Sequence, residues 1–345
     1  MTDTDFKIII TKNKPLQPDA WNQLSVQCSN IWQSTFNDEV QLFFNNRAWY
    51  FQCFNQEKLI GGVKIYFYES KRLPGFIRSI SSRATQGSEI LFDDSKNIDF
   101  DNFLIALTDA IKKWLKTKRT TTFYSYSFYG ETGKLISLSE YKKVWESRIG
   151  IAKIDLTKKI EELRKEINPK HRSEIIKAEK NNLTIEFSND IELLFLLMDE
   201  TYKNQDSHAP NKNFICREYE ILKSNNFAQL VFAKHNGKYL CGALLYNFGK
   251  SSLYNFGGTV KNSLGAGQFL HWEIMKYLKV SGFQNYFLGE TSLEITKTNL
   301  KFSEGITKFK LRFGAQQIPV SHTGYALKPM QLKLWNIFKK IFIRS

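Results

Sequence analysis

The run Lys58-Leu59-Ile60-Gly61-Gly62-Val63 returns later in the chain as Lys238-Tyr239-Leu240-Cys241-Gly242-Ala243, and each copy opens the second arm of a hairpin. Upstream of the first copy, Trp49 to Phe54 is aromatic and β-branched in the manner of a strand and ends in the polar turn Asn55-Gln56-Glu57-Lys58; Leu59 to Tyr68 then continues the pattern. Around the second copy, Gln229 to Lys234 leads through His235-Asn236-Gly237-Lys238 into Tyr239 to Phe248. A helix follows each hairpin. Phe103 to Lys116 places Leu104, Leu107, Ile111, Trp114 and Leu115 on one face, and Gln268 to Val280 does the same with Phe269, Trp272, Ile274, Tyr277 and Leu278. Strands are then expected at Thr122 to Phe128 and at Asn285 to Leu288. Any two hairpin-plus-helix units share some features, but a shared order over this length favours a duplicated α/β unit with a boundary near residue 150.

Composition agrees with two packed cores. A chain of 345 residues with 42% hydrophobic and 14% aromatic residues has the apolar material of a globular protein rather than a disordered tail. Lysine and arginine exceed aspartate and glutamate by 49 − 34 = 15. That excess attracts anions such as phosphates, nucleic acid or acidic headgroups, although its even spread also suits simple solubility. Cys28, Cys53, Cys216 and Cys241 are far apart and fit no zinc spacing, the five histidines are scattered, and no metal site is expected. The opening MTDTDFKIII has neither the basic flank nor the apolar run of a signal peptide, and no stretch has the length of a membrane span, so a cytoplasmic location is expected.

Between the two units, Thr157 to Lys180 reads as a charged helical segment broken at Asn168-Pro169, because proline lacks a donor and bars its predecessor from helix. A further helix, Ile191 to Tyr202, leads into a polar loop from Lys203 to Asn213. Leu253 to Gly267 reads as strand, loop and helix start. Its Asn262-x-x-Gly265-x-Gly267 spacing comes close to the Q/R-x-x-G-x-G/A pyrophosphate loop of GCN5-related N-acetyltransferases, with Asn262 where that loop carries Arg or Gln. Glycines at a helix N-terminus let backbone N–H groups approach a phosphate, and the alternative is a plain turn. Gly249-Lys250-Ser251 lacks the upstream glycine of a Walker loop and reads as a hairpin turn; Asp206-Ser207-His208 is adjacency, not a triad; His271 sits in an apolar helix and reads as packed or hydrogen-bonded.

The segment Gly305-Ile306-Thr307-Lys308-Phe309-Lys310-Leu311-Arg312-Phe313-Gly314 puts Phe309 and Phe313 on one helical face, with Lys308, Lys310 and Arg312 supplying charge. This G-x-x-x-F-K-x-x-F-G element, the earlier His171-Arg172-Ser173-Glu174-Ile175-Ile176-Lys177-Ala178-Glu179-Lys180 run and the paired units together resemble the Fem-type aminoacyltransferases, which build peptidoglycan cross-bridges. The resemblance runs from about residue 40 onward and is strongest from Leu163 to Gly314. It implies an α/β fold of two tandem acetyltransferase-like (GNAT) domains, each a mixed twisted sheet flanked by helices, at 1–150 and 151–326, with a basic C-terminal helix at 327–345. The long helical hairpin of some members has no room here.

The resemblance places Phe309 and Lys310 near the acyl-transfer site, where a fixed ammonium would stabilise the negative charge that forms on the carbonyl oxygen. By the residues alone, without the resemblance, Lys310 reads as a solvated lysine on an amphipathic helix. Arg172 and Lys177 match basic positions that would hold phosphates of the acceptor or tRNA, or else they pair with Glu174 and Glu179 on a charged surface. Glu290, at the end of Tyr286-Phe287-Leu288-Gly289, falls where the family has its acceptor pocket and would orient the amine or take its proton; a merely exposed carboxylate is the other reading. No resident cofactor is implied. The donor would be aminoacyl-tRNA and the acceptor a nucleotide-linked or lipid-linked cell-envelope precursor. Two competing readings are an acyl-CoA-dependent N-acyltransferase using Asn262, Gly265 and Gly267, and a non-catalytic RNA- or membrane-surface-binding module. Finally, Met330, Leu334, Ile337, Phe338 and Ile341 follow helical spacing beside Trp335, with Lys333, Lys339, Lys340 and Arg344 interspersed. Such a helix docks on its own domain or makes peripheral contact at the inner membrane surface.

Overall fold

A computed structural model of the chain describes residues 6–43, 46–70, 73–95, 98–130, 134–203, 210–261, 263–293 and 300–342. The strands are, in chain order, β1 (Phe6–Lys12), β2 (Arg47–Asn55), β3 (Lys58–Tyr68), β4 (Arg83–Gln86), β5 (Leu91–Phe92), β6 (Thr122–Ser125), β7 (Lys142–Asp155), β8 (Thr184–Ser188), β9 (Ala228–His235), β10 (Lys238–Phe248), β11 (Ser251–Thr259), β12 (Asn285–Thr291) and β13 (Gln316–Ala326). The chain forms two compact units: residues 1–148 with 320–345, and residues 149–319. Among the described residues no helix is long and apolar enough to cross a membrane.

In the first unit β1, β2, β3 and β4 pair antiparallel in succession, β4 pairs parallel with β6, and the end of β13 closes the row antiparallel to β6. The parallel step is made by the helix Phe100–Thr117, capped by Asp99, whose carboxylate accepts from the amides of Asp101 and Asn102. That helix buries Phe103, Leu107, Ile111, Trp114 and Leu115 against Phe51, Val63, Ile65 and Phe123. The second unit repeats the order: β8, β9, β10 and β11 are antiparallel, β11 is parallel to β12, and β12 is antiparallel to residues 150–155 of β7. Here the helix Ala266–Val280 makes the crossover and buries Phe269, Leu270, Ile274, Met275 and Leu278 on Ala243, Leu245 and Leu288.

The echo in sequence is an echo in backbone. Between β2 and β3 the register shifts so that Ile60 is unpaired, and between β9 and β10 it shifts at Leu240, the matching position of the repeated hexapeptide. A bulge adds twist at one point of a strand pair, and both units take it at the same place.

The linking segment breaks where proline requires. Helices span Ile160–Glu166 and Pro169–Lys180, with Pro169 in the first turn of the second and the Asn168 side chain accepting from the Lys170 amide. The sequence reading did not anticipate the helix Lys212–Ser224, most of whose polar flank disguises a buried face of Ile215, Tyr219 and Leu222. The strand expected at Thr122 to Phe128 ends at Ser125, because the amides of Phe128 and Tyr129 turn to the buried carboxylate of Glu89 at 3.0 and 2.9 Å.

Candidate functional site

In the second unit, the parallel pairing of β11 with β12 runs over Ser251–Leu253 and Asn285–Phe287. Just beyond it both strands carry an extra residue, Asn255 in β11 and Leu288 in β12. Gly289 follows with φ +80°, a left-handed conformation that turns the strand end and that side chains other than glycine rarely adopt.

Lys310 reaches this bend from the last turn of the helix Leu300–Leu311 and donates from Nζ to the Glu290 carbonyl at 2.8 Å. A Cβ at position 289 would stand 3.5 Å from that Nζ, so glycine leaves the ammonium uncovered on this side. Burial pushes the Lys310 ammonium down to about 8, with the neighbouring Glu290 carboxylate pulling the other way. A lysine in that range is still mainly charged at neutral pH, and its charge acts in a partly desolvated setting where it is worth more than in water.

The apolar side of Lys310 is an aromatic cluster. Phe309 and Phe313 meet with centroids 5.2 Å apart, and both contact His171, at 5.2 and 4.7 Å, and His271, at 5.6 and 5.1 Å. Tyr254 of β11 sets its ring edge-on to His271 at 4.8 Å. His171 Nε2 lies 3.0 Å from the Phe309 carbonyl, and His271 Nδ1 lies 2.8 Å from the Tyr286 hydroxyl. Burial lowers His171 to about 4 and His271 to about 3; the Lys310 charge adds to the second shift. Both rings are therefore neutral at pH 7. With a carbonyl acceptor at Nε2, the neutral His171 ring carries its proton there and donates it to Phe309, which ties the helix Pro169–Lys180 to the backbone next to Lys310.

The sequence-selected residues divide sharply. Phe309, Lys310 and Glu290 come together at the end of β12, with Glu290's side chain exposed and its backbone carbonyl holding the lysine. Gly267 lies near them, since a Cβ there would meet the Phe309 ring at 3.7 Å. Gly265 has φ +79° at the N-cap of the helix Ala266–Val280, and a Cβ would stand 2.5 Å from the Glu174 carbonyl oxygen. Its need for glycine is thus met by backbone conformation and by packing on the helix Pro169–Lys180, and the Glu174 side chain is also close by. Asn262, Arg344 and Asp206-Ser207-His208 lie outside the described residues.

Arg172 and Lys177 are not brought to one place. Five residues along a helix separate two side chains by about 140°; Arg172 donates to the Lys165 carbonyl at 2.7 Å, while Lys177 stands exposed 3.8 Å from Glu174. The member of that run that does reach the cluster is His171, which the motif contained but charge-based reading passed over. Its signal was the aromatic company it keeps, and that is invisible without the fold. Among the described residues no group of three His, Cys, Asp or Glu side chains could hold a metal ion.

Two α/β units of one strand order, each with a single parallel crossover, constitute a tandem acetyltransferase-like fold. Solved structures share it over nearly their full length. The crystal structure of FemX superposes with a TM-score of 0.74 at 16% identity, covering 94% of this chain and 99% of that one. A domain assigned as the C-terminal domain of a lysylphosphatidylglycerol synthetase from Agrobacterium fabrum gives 0.55 at 12% identity, with 93% and 96% covered. L-PGS from Bacillus licheniformis gives 0.54 at 11%, with 96% and 98% covered. At these identities the likeness is one of fold. No protein-family description matches the sequence, and no curated protein matches it.

Proposed function

We propose that the chain is an acyltransferase that moves an aminoacyl group from aminoacyl-tRNA to an amine of a cell-envelope precursor, and that the chemistry takes place beside Lys310. The observation that carries this reading is the Lys310 ammonium, desolvated to about 8 and held at 2.8 Å on a carbonyl at the bend of β12. Attack of the acceptor amine on the donor ester forms a C–N bond and places negative charge on the carbonyl oxygen; a fixed ammonium beside that oxygen lowers the barrier. Collapse breaks the ester C–O bond, the tRNA ribose oxygen leaves, and the proton lost by the amine balances it. The Glu290 carboxylate, exposed at the same strand end, orients the amine.

Three supports stand behind the donor and acceptor classes: the Fem-type motif order in the sequence, the FemX fold, and a neighbour whose name describes lysine joined to phosphatidylglycerol. A carrier such as tRNA suits the net charge of +15. Coenzyme A is the weaker donor, because Gly265 is packed on Glu174 where its pyrophosphate would have to approach.

The test is mass spectrometry of the purified protein incubated with charged total tRNA, or with an acyl-CoA mixture, and an extract of envelope precursors. The expected result is a mass gain on a precursor that requires charged tRNA and disappears in Lys310→Ala. Gain with acyl-CoA alone would transfer the function to N-acylation of a small amine; no gain with either, together with salt-dependent RNA or vesicle binding, would leave a binding module.

A further inference from the structure

The helix Pro329–Phe342 has two apolar faces, and among the described residues one of them is covered and the other exposed. On the inner side Gln331, Leu332, Trp335 and Phe338 are part-covered, the helix docks against Gly75–Ile80, and Gln331 Oε1 accepts from the Thr121 hydroxyl at 3.3 Å. Away from that contact, Met330, Leu334, Ile337 and Ile341 are 79, 47, 54 and 61% exposed. At 100° per residue these four fall within an arc of about 60°, one above another along the helix. Single exposed apolar residues are ordinary on a protein surface, but a four-residue stripe is not.

The charges beside the stripe say what covers it. Lys333 and Lys340 are exposed and lie on one flank, about 70° and 90° from its centre, while Lys339, also exposed, lies on the opposite side of the helix. No acidic residue occurs from Lys328 to Phe342. A protein partner matched to this face would bring a groove and discrete carboxylates; an anionic lipid surface offers a flat apolar boundary and a continuous field of negative headgroups. A stripe this narrow, flanked by lysines whose long apolar stems allow the ammonium groups to reach a headgroup layer, has the cross-section of a helix lying in the plane of a bilayer surface.

We propose that the outer face of Pro329–Phe342 is a docking surface for anionic phospholipid, holding the first unit at a membrane with Met330, Leu334, Ile337 and Ile341 inserted and Lys333 and Lys340 on the headgroups. The surface belongs to the first unit and Lys310 to the second, and its test needs no knowledge of the substrate. It consists of flotation of the full chain with vesicles of phosphatidylcholine alone or with one part in three phosphatidylglycerol, alongside sedimentation analysis without lipid. The expected result is flotation with the anionic vesicles only, weakened by salt. Lys333→Gln with Lys340→Gln should lower the partition coefficient roughly 30-fold, at about fivefold per lysine, and Leu334→Asp with Ile337→Asp should abolish it. Both pairs point outward, so an unchanged melting temperature shows that the fold is intact. Equal flotation with both vesicles, or unaltered flotation of the Leu334/Ile337 variant, overturns the proposal. So does a wild-type dimer that the same variant dissociates with no vesicle binding, which would assign the stripe to a second copy of the chain.

Discussion

Replacing Lys310 by methionine keeps the aliphatic stem among Phe309 and its neighbours and removes only the charge and its hydrogen bond. Burial has moved the ammonium from 10.5 to about 8. At about 1.36 kcal/mol per tenfold change in proton affinity, that displacement corresponds to roughly 3 kcal/mol of unfavourable free energy in holding the charge. The side chain is only part-buried, so solvent screens about half of it, leaving ~1.5 kcal/mol. The sign follows from proton counting: between pH 8 and 10.5 the unfolded chain holds the Lys310 proton and the folded chain has released it, so wild-type stability rises with pH across that window. The methionine variant lacks this rise. The stability of Lys310→Met relative to wild type is therefore greatest at pH 7 and declines by ~1.5 kcal/mol by pH 10, whatever constant offset the lost hydrogen bond adds. Urea denaturation of the second unit at the two pH values, followed by tryptophan fluorescence, reads the difference directly. The same variant should lose transfer by about 10²–10³-fold in kcat. A difference between variant and wild type that stays flat from pH 7 to 10 would refute the reasoning, since a fully solvated lysine gives that result.

His171→Phe should flatten part of the acid sensitivity of the second unit: with folded values of about 4 for His171 and about 3 for His271 against an ordinary 6.5, the unfolded chain binds more protons below pH 6.5 and stability falls as pH drops towards 4. The comparison is made as variant minus wild type in urea melts, because buried Glu218, raised to about 7, titrates in the opposite sense. Gly265→Ala should destabilise by about 2 kcal/mol or more, from its positive φ and its 2.5 Å approach to Glu174, whereas Gly267→Ala, with 3.7 Å to Phe309, stays within about 0.5 kcal/mol; equal losses in the two melts would count against this packing account. Lys177→Ala should change stability by less than about 0.5 kcal/mol, its ion pair with Glu174 being exposed at 3.8 Å, and a rise in KM for the donor or acceptor would show that it meets a phosphate.

Local pattern carried much of the architecture. The periods of two and 3.6 located β2, β3, β9 and β10 and the two crossover helices, and the proline rule divided the linking segment at Asn168. The repeated hexapeptide went further, since its third residue is the bulge position in both units. Where reading failed, the reason is specific. The helix Lys212–Ser224 has its apolar residues separated by Arg217, Glu218 and Glu220, and Glu218 is buried by its hydrogen bond from Tyr246 at 2.5 Å, a partner a sequence does not name. The selected cations fared unevenly for a similar reason: Arg172 and Lys177 share a motif but point about 140° apart, while His171 beside them reaches Phe309 across 138 positions of chain.

By itself the sequence determined that the chain is a duplicated α/β protein with an aromatic–lysine element near its end, because hydrophobic period, turn chemistry and the repeat are local properties that each segment carries with it. Only the tertiary structure decided what surrounds Lys310. The crossover from β11 to β12 through the helix Ala266–Val280 sets Tyr254, His271 and Tyr286 against one another, and the helices Pro169–Lys180 and Leu300–Leu311 add His171, Phe309 and Lys310. It also decided that residues 320–345 complete the first unit. Strand order and helix docking depend on which faces bury the most apolar surface together, a property of the whole chain that no segment holds alone.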